Sequence, residues 1–297
     1  MKNFYLPFPA DAQNDYYIKA IIKLYESMPQ WFNEGVCIKG VYGSFAQCIW
    51  NGGRGSMREG YKEEINWFNQ HNLTFRLTFS NSLLQPCDVH DEYCNQILDF
   101  AAASQMNGII MNNDYLYDYI INKHPNSFTL IQSTTQNIVD IEPAQFDKFD
   151  IVVLDYRLVH NMLKLQQNKY KKQSEIMVNE VCSPKCSIKM RTLHYDMVSY
   201  MCLHQLSNFQ DTPYFSEFNC DFYKDNDGPV EQLLGRQNNF LSNEQINALA
   251  EMGYIHFKMT GRDFTTAQLI EHLLYYLIQP QYYNKVKQMM LQQEIQL

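Results

Sequence analysis

The chain has 297 residues, 45% hydrophobic and 14% aromatic, with a net charge of −8. That length suits one barrel of alternating strands and helices, which needs about 250 residues, and the apolar share excludes a disordered chain. The acidic balance argues against nucleic acid or anionic lipid as a partner, because phosphate contacts call for clustered Lys and Arg.

The opening MKNFYLPFPADAQNDYY carries one Lys and no apolar run of useful length, so no signal peptide is expected. No window reaches the roughly 18 uncharged apolar residues of a membrane span. A cytoplasmic protein is therefore expected, and its eight cysteines should be reduced thiols or metal ligands rather than disulfides.

Short apolar runs then alternate with longer amphipathic stretches, the pattern of βα units in a parallel sheet. Eight runs read as strands: FYLPF at 4–8, VCIKGVYG at 36–43, LTFRLTF at 73–79, GIIM at 108–111, FTLIQ at 128–132, DIVVLD at 150–155, EIMVN at 175–179 and YIHFKM at 254–259. Between them YYIKAIIKLYESM, YKEEINWFNQH, DEYCNQILDFAAAS and YRLVHNMLKLQQNKY repeat apolar residues at three and four, which predicts helices. The whole chain, 1–297, reads as a single α/β domain, a (β/α)8 barrel with a cysteine-bearing insertion between strands seven and eight. Two segments break the rhythm. NGGRGSMREG at 51–60 is glycine-rich, and 182–240 has few regular signals and is expected to be a metal-binding loop region.

Cys182 and Cys186 follow the seventh strand directly, on the face where barrel enzymes build their sites. A CxxxC pair with Pro184 between can aim two thiolates at one centre, and Cys202 and Cys220 complete a four-thiolate set. The plainer alternative is four small buried hydrophobes, but CSPKC is too polar for a core. A [4Fe-4S] cluster and a zinc ion both use four such ligands, and His194 and His204 are near enough in sequence to serve zinc. The single spacing of Cys202 and Cys220 favours the cluster over paired zinc ligands. Radical S-adenosylmethionine chemistry needs a third cysteine where Lys189 stands. Cys37, Cys48, Cys87 and Cys94 are read as packing residues.

Three stretches, IHFKMTGRDFTTAQLIEHLLYYL at 255–277, DIVVLDYRLVHNM at 150–162 and NEVCSPKC, together with Gln132 and Ser133, carry a likeness to a known family. The chain resembles the collagenase-like peptidase family U32, whose relatives include oxygen-independent iron-sulfur hydroxylases of ubiquinone precursors, transfer RNA and ribosomal RNA. That resemblance implies a barrel and a cluster bound through the cysteines. The first two cysteines are closer together than in those hydroxylases, and no counterpart of the family's extra C-terminal domains is read. No nucleophile with a partnered base and no HExxH motif supports proteolysis.

Polar residues at the strand ends are the candidate substrate ligands: Asn112 (with Asp114), Gln132, Arg157, Asn179, Lys258 and Arg262. Arg262 suits bidentate capture of a carboxylate or phosphate, with Arg54 closing over it; the alternative is that Lys258 and Arg262 only pair with Asp155 or Asp263. His194 and Asp155 are the candidate catalytic groups, although a histidine so placed is commonly a helix-surface residue. Tyr115, Tyr117, Tyr195 and Tyr223 either stack a planar substrate or pack. The leading expectation is an oxygen-independent hydroxylase-like enzyme on a small or biosynthetic substrate. A peptidase with structural zinc and a non-catalytic subunit paired with a related barrel are the alternatives.

Overall fold

The computed structural model describes residues 1–52, 58–137, 139–183, 185–218, 220, 230–234 and 239–297. Eight parallel strands close into a barrel: β1 (Lys2–Pro7), β2 (Val36–Gly43), β3 (Thr74–Phe79), β4 (Gly108–Met111), β5 (Thr129–Gln132), β6 (Ile151–Val153), β7 (Ser174–Met177) and a last strand, His256–Lys258. β1 closes it by pairing with β2 on one side (Leu6 with Val41) and with the last strand on the other (Phe4 with Phe257). All eight expected strands are present, each within a few residues of its run, so the (β/α)8 reading holds. An antiparallel pair at the rim, β8 (Asn179–Glu180) with β9 (Asn239–Phe240), precedes that last strand, which is thus β10.

Alternation along each strand explains the two cores. In β3 the side chains of Phe75, Leu77 and Phe79 are buried in the large apolar cluster shared with the surrounding helices, whereas Arg76 and Thr78 point inward. Inside the barrel Tyr5, Tyr42, Ile110, Ile131, Val153 and Met177 pack together, a filled interior rather than a pore.

The outer shell is α1 (Asp15–Ser27), α2 (Tyr61–Gln70), α3 (Glu92–Ala102), α4 (Asp114–Lys123), α5 (Pro143–Lys148), α6 (Met162–Gln167), α7 (Ile188–His204), α8 (Val230–Leu234), α9 (Asn243–Glu251), α10 (Thr266–Leu277) and α11 (Tyr283–Leu291). Two helical expectations need correcting. The 156–170 stretch is split, because Asp155 caps a 3-10 turn at Tyr156–Leu158 and Asn161 caps a new helix by accepting from Lys164 N at 3.1 Å. The 182–240 region is not a simple loop either, since α7 runs through it for 17 residues from its Ser187 cap. No helix among the described residues is long and apolar enough to cross a membrane.

Candidate active site at the barrel mouth

Three strands each turn one charged residue into the barrel: Arg76 from β3, Glu175 from β7 and Lys258 from β10, all almost fully buried. Arg76 Nη1 donates to Glu175 Oε2, and its guanidinium lies over the Tyr5 ring, 3.1 Å from the centroid. Lys258 Nζ stands 4.0 Å from the other Glu175 oxygen and 4.0 Å from the Tyr42 ring centroid. Burial alone would push the Glu175 carboxyl up, but Arg76, Lys258 and His256 outweigh it and hold it below its ordinary value. Lys258 is the loser of this contest: burial brings its ammonium down to about 8 against the pull of Glu175, with Arg76 and Arg262 adding to the fall.

One layer higher sits Arg262, 5% exposed. Its Nη1 donates to Ser44 Oγ at 3.2 Å and Thr78 Oγ1 at 3.0 Å, and its Nη2 to the Gly52 carbonyl at 3.4 Å. The turn that delivers it needs Gly261, which has φ +134° and where a Cβ would come within 2.7 Å of the Phe264 ring. Lys258, Arg262, Tyr42, Thr78 and Gly52 help to line a pocket of roughly 590 Å³, counting the space open to solvent, at the carboxyl ends of the strands. Lys258, Thr260 and Arg262 form one side and Ser133, Thr134 and Thr135 another; Glu180, Cys182, His194 and Tyr195 line the α7 side.

Of the residues singled out from sequence, Lys258, Arg262, His194, Tyr195 and Cys182 meet in this pocket. Lys258 and Arg262 do not pair with Asp155, whose two carboxylate oxygens take Arg157 Nε and Nη2, each at 2.7 Å. Asp155 and Arg157 therefore form a closed ion pair outside the pocket lining. Asn179 is spent on structure, bonded to Thr260 and to His272. Gln132 donates to Gln136 and Asn112 donates to Thr135 Oγ1 at 2.8 Å, each keeping one buried carbonyl oxygen without a partner. Asp114 pairs with Lys148 at the surface, Tyr115 is exposed and Tyr117 donates to the Lys148 carbonyl, so none of the three reaches the pocket. Arg54, Pro184 and Tyr223 lie outside the described residues.

The four cysteines divide. Cys182 lines the pocket; Cys186 lies near enough to Cys220 that this neighbour, after burial, pushes its thiol up. Cys202 is in the last turn of α7, roughly 20 Å from the start of that helix at ~1.5 Å per residue. There burial and Cys48 push its thiol up to about 12, with Arg262 acting the other way. A cluster or tetrahedral zinc gathers four sulfurs within several ångströms. A straight helix holds Cys202 away from Cys186, so the four-thiolate set does not fit in this arrangement. Among the described residues no three His, Cys, Asp or Glu side chains form a metal-binding group.

The barrel is similar to that of a U32 peptidase. The solved structure of the U32 peptidase Mk0906 matches with a TM-score of 0.55 and 10% identity, covering 88% of this chain and 93% of that one. At that identity the likeness speaks for the fold. No family model matches the chain, and no curated protein does. The U32-like barrel thus agrees with the resemblance carried by the sequence motifs, while the hydroxylase relatives gain nothing from it.

Sequence reading missed the charged interior. Arg76 in LTFRLTF and Glu175 in SEIM occupy inward positions of apolar strands, and a charge at alternate spacing inside such a run was the signal. Arg191, fully buried on α7, was missed because a helical arginine ordinarily reaches solvent.

Proposed function

We propose that this chain is an enzyme that takes a small anionic substrate at the barrel mouth, with Lys258 and Arg262 holding the acidic group. The carrying observation is the buried triad: Glu175 is committed to Arg76 through a short hydrogen bond, while Lys258 has it only at 4.0 Å and faces the pocket. Two cations share one carboxylate there, and a substrate oxyanion supplies the second. Because Lys258 and Arg262 are themselves buried, charge-assisted hydrogen bonds from them to carboxylate or phosphate are strong. His194 lines the same pocket and is the group placed to move a proton on a bound substrate. A peptide C-terminus falls within the same substrate class, and the similar barrel is that of a U32 peptidase.

Calorimetric titration with small carboxylates and phosphate esters tests this reading. Lys258→Met is expected to weaken binding at least tenfold at pH 7, and wild-type affinity is expected to fall as pH rises through about 8, where Lys258 loses its proton. Absence of any anion binding, or affinity that is indifferent to both changes, refutes it.

The oxygen-independent hydroxylase is the second reading, with Cys182, Cys186 and Cys220 but not Cys202 left to hold a cluster; the nearness of Cys186 to Cys220 favours it. About four irons with matching sulfide per chain, after anaerobic purification, would support it; one zinc per chain would support the zinc hydrolase. Co-purification of a second barrel would favour a paired subunit.

A further inference from the structure

Cys48 and Cys94 read from sequence as packing residues, and both are indeed buried. Burial does not explain why two thiols 46 positions apart should meet. Cys48 sits in the turn after β2, and Cys94 in the first turn of α3, where its N donates to Asp91 Oδ1 at 2.8 Å. Their sulfurs stand 3.1 Å apart, so one thiol donates to the other. A disulfide bond of ~2.05 Å needs an approach of only about 1 Å more. The segments around the pair are already fastened together. Trp50 Nε1 donates to the Asp88 carbonyl at 2.8 Å, and the Trp50 carbonyl accepts from Asn81 N at 3.1 Å. The Cys48 carbonyl accepts from Asn51 N at 3.2 Å, and the next residue, Gly52, gives its carbonyl to Arg262. Cys202 is the competing partner: Gln205 Nε2 donates to the Gln47 carbonyl at 3.4 Å, which brings the end of α7 to the same turn.

We propose that Cys48 and Cys94 are a redox modification site, a dithiol that closes to a disulfide and ties the turn leading to Gly52 onto α3. The oxidant is a small-molecule disulfide such as oxidised glutathione. One cysteine sulfur attacks it and releases a first thiol, leaving a mixed disulfide; the other cysteine attacks that and releases a second thiol. The reagent's S–S bond breaks, the Cys48–Cys94 bond forms, and the two cysteine protons leave on the two released thiols. Two electrons pass from the pair to the reagent. Burial pushes the Cys94 thiol up, so the first attack waits for the turn to lift and the reaction is slow. The second attack is fast, because the partner sulfur is already at hand.

The test is to hold the full chain with excess oxidised glutathione for hours, alkylate the remaining thiols, and map the peptides by mass with and without a final reduction. A peptide pair joined through Cys48 and Cys94 is expected, two hydrogens lighter than the free pair, and reduction should part it. Because the bond closes a loop of 46 residues, the oxidised chain should unfold about 5 °C above the reduced chain. Cys94→Ala and Cys48→Ala should each abolish the cross-link and the rise; each variant is compared with its own reduced form, so any loss of stability from the substitution cancels. Recovery of both cysteines as free thiols or as lasting glutathione adducts overturns the inference. So does Cys48 joined to Cys202, oxidation confined to Cys182, Cys186 and Cys220, or a cross-link that leaves the unfolding midpoint where it was. None of these readouts involves anion binding, so failure of the mouth reading leaves the inference standing.

Discussion

Asn179 Nδ2 donates to the Thr260 carbonyl at 3.1 Å and to His272 Nδ1 at 3.0 Å, while its Oδ1 accepts from Thr260 N at 2.6 Å. Each buried group left without its partner costs about 1–3 kcal/mol, so Asn179→Ala is expected to lose about 2–4 kcal/mol in urea denaturation; a loss under ~0.5 kcal/mol contradicts this role. From sequence the residue was a polar strand end and hence a pocket candidate. Whether it faced the pocket or the strand beside it depended on register, which no local pattern carries. The cysteines teach the same lesson. Cys48 and Cys94 are buried with their sulfurs 3.1 Å apart, whereas Cys87 and Cys220 are exposed. Brief iodoacetamide labelling followed by peptide mass mapping is expected to modify Cys87 and Cys220 first and Cys48 and Cys94 last; early labelling of Cys94 would contradict its burial.

The strands were legible because a buried parallel strand writes itself as a short β-branched run between turn signals. α7 was not legible: Ile188 and Leu203 lie on the side of the helix opposite Met190, Leu193, Met197 and Met201, so apolar residues surround it and leave no single apolar face to read. The glycine-rich segment after β2 was legible as a break, but not as part of the site. A Cβ on Gly52 would come 2.1 Å from the Ser80 carbonyl oxygen, a backbone atom that cannot swing aside, and Gly52 also offers its carbonyl to Arg262. Gly52→Ala is therefore expected to displace the Gly52 carbonyl from Arg262 and weaken anion binding severalfold in the same calorimetric assay. Unchanged affinity would show that the segment does not position the guanidinium.

Across the whole molecule α10, the rim pair and the barrel meet at His272, which is buried among Phe240, Phe264 and Tyr276 and accepts from Asn179. Burial brings its imidazole down to about 3 from an ordinary 6.5, so it stays neutral where the unfolded chain takes up a proton. Its contribution is fully present above pH 6.5 and is lost progressively as pH falls toward about 3. Between pH 6.5 and pH 5 that amounts to about 2 kcal/mol of stability, and His272→Gln should make the acid limb of a urea-stability profile shallower by that amount; an unaltered limb contradicts it. The sequence by itself determined the eight strands and most of their helices, because the period of apolar residues and the strand-to-helix order are local. Only the tertiary structure decided which charges meet: that Arg76 takes Glu175, that Asp155 is closed by Arg157, that Arg191 is buried with two nitrogens lacking a hydrogen-bond partner, and that Cys202 ends a helix away from Cys186. Those outcomes depend on strand register, the closing of β10 on β1 and the packing of α7, and each of these is set by contacts between segments far apart in the chain.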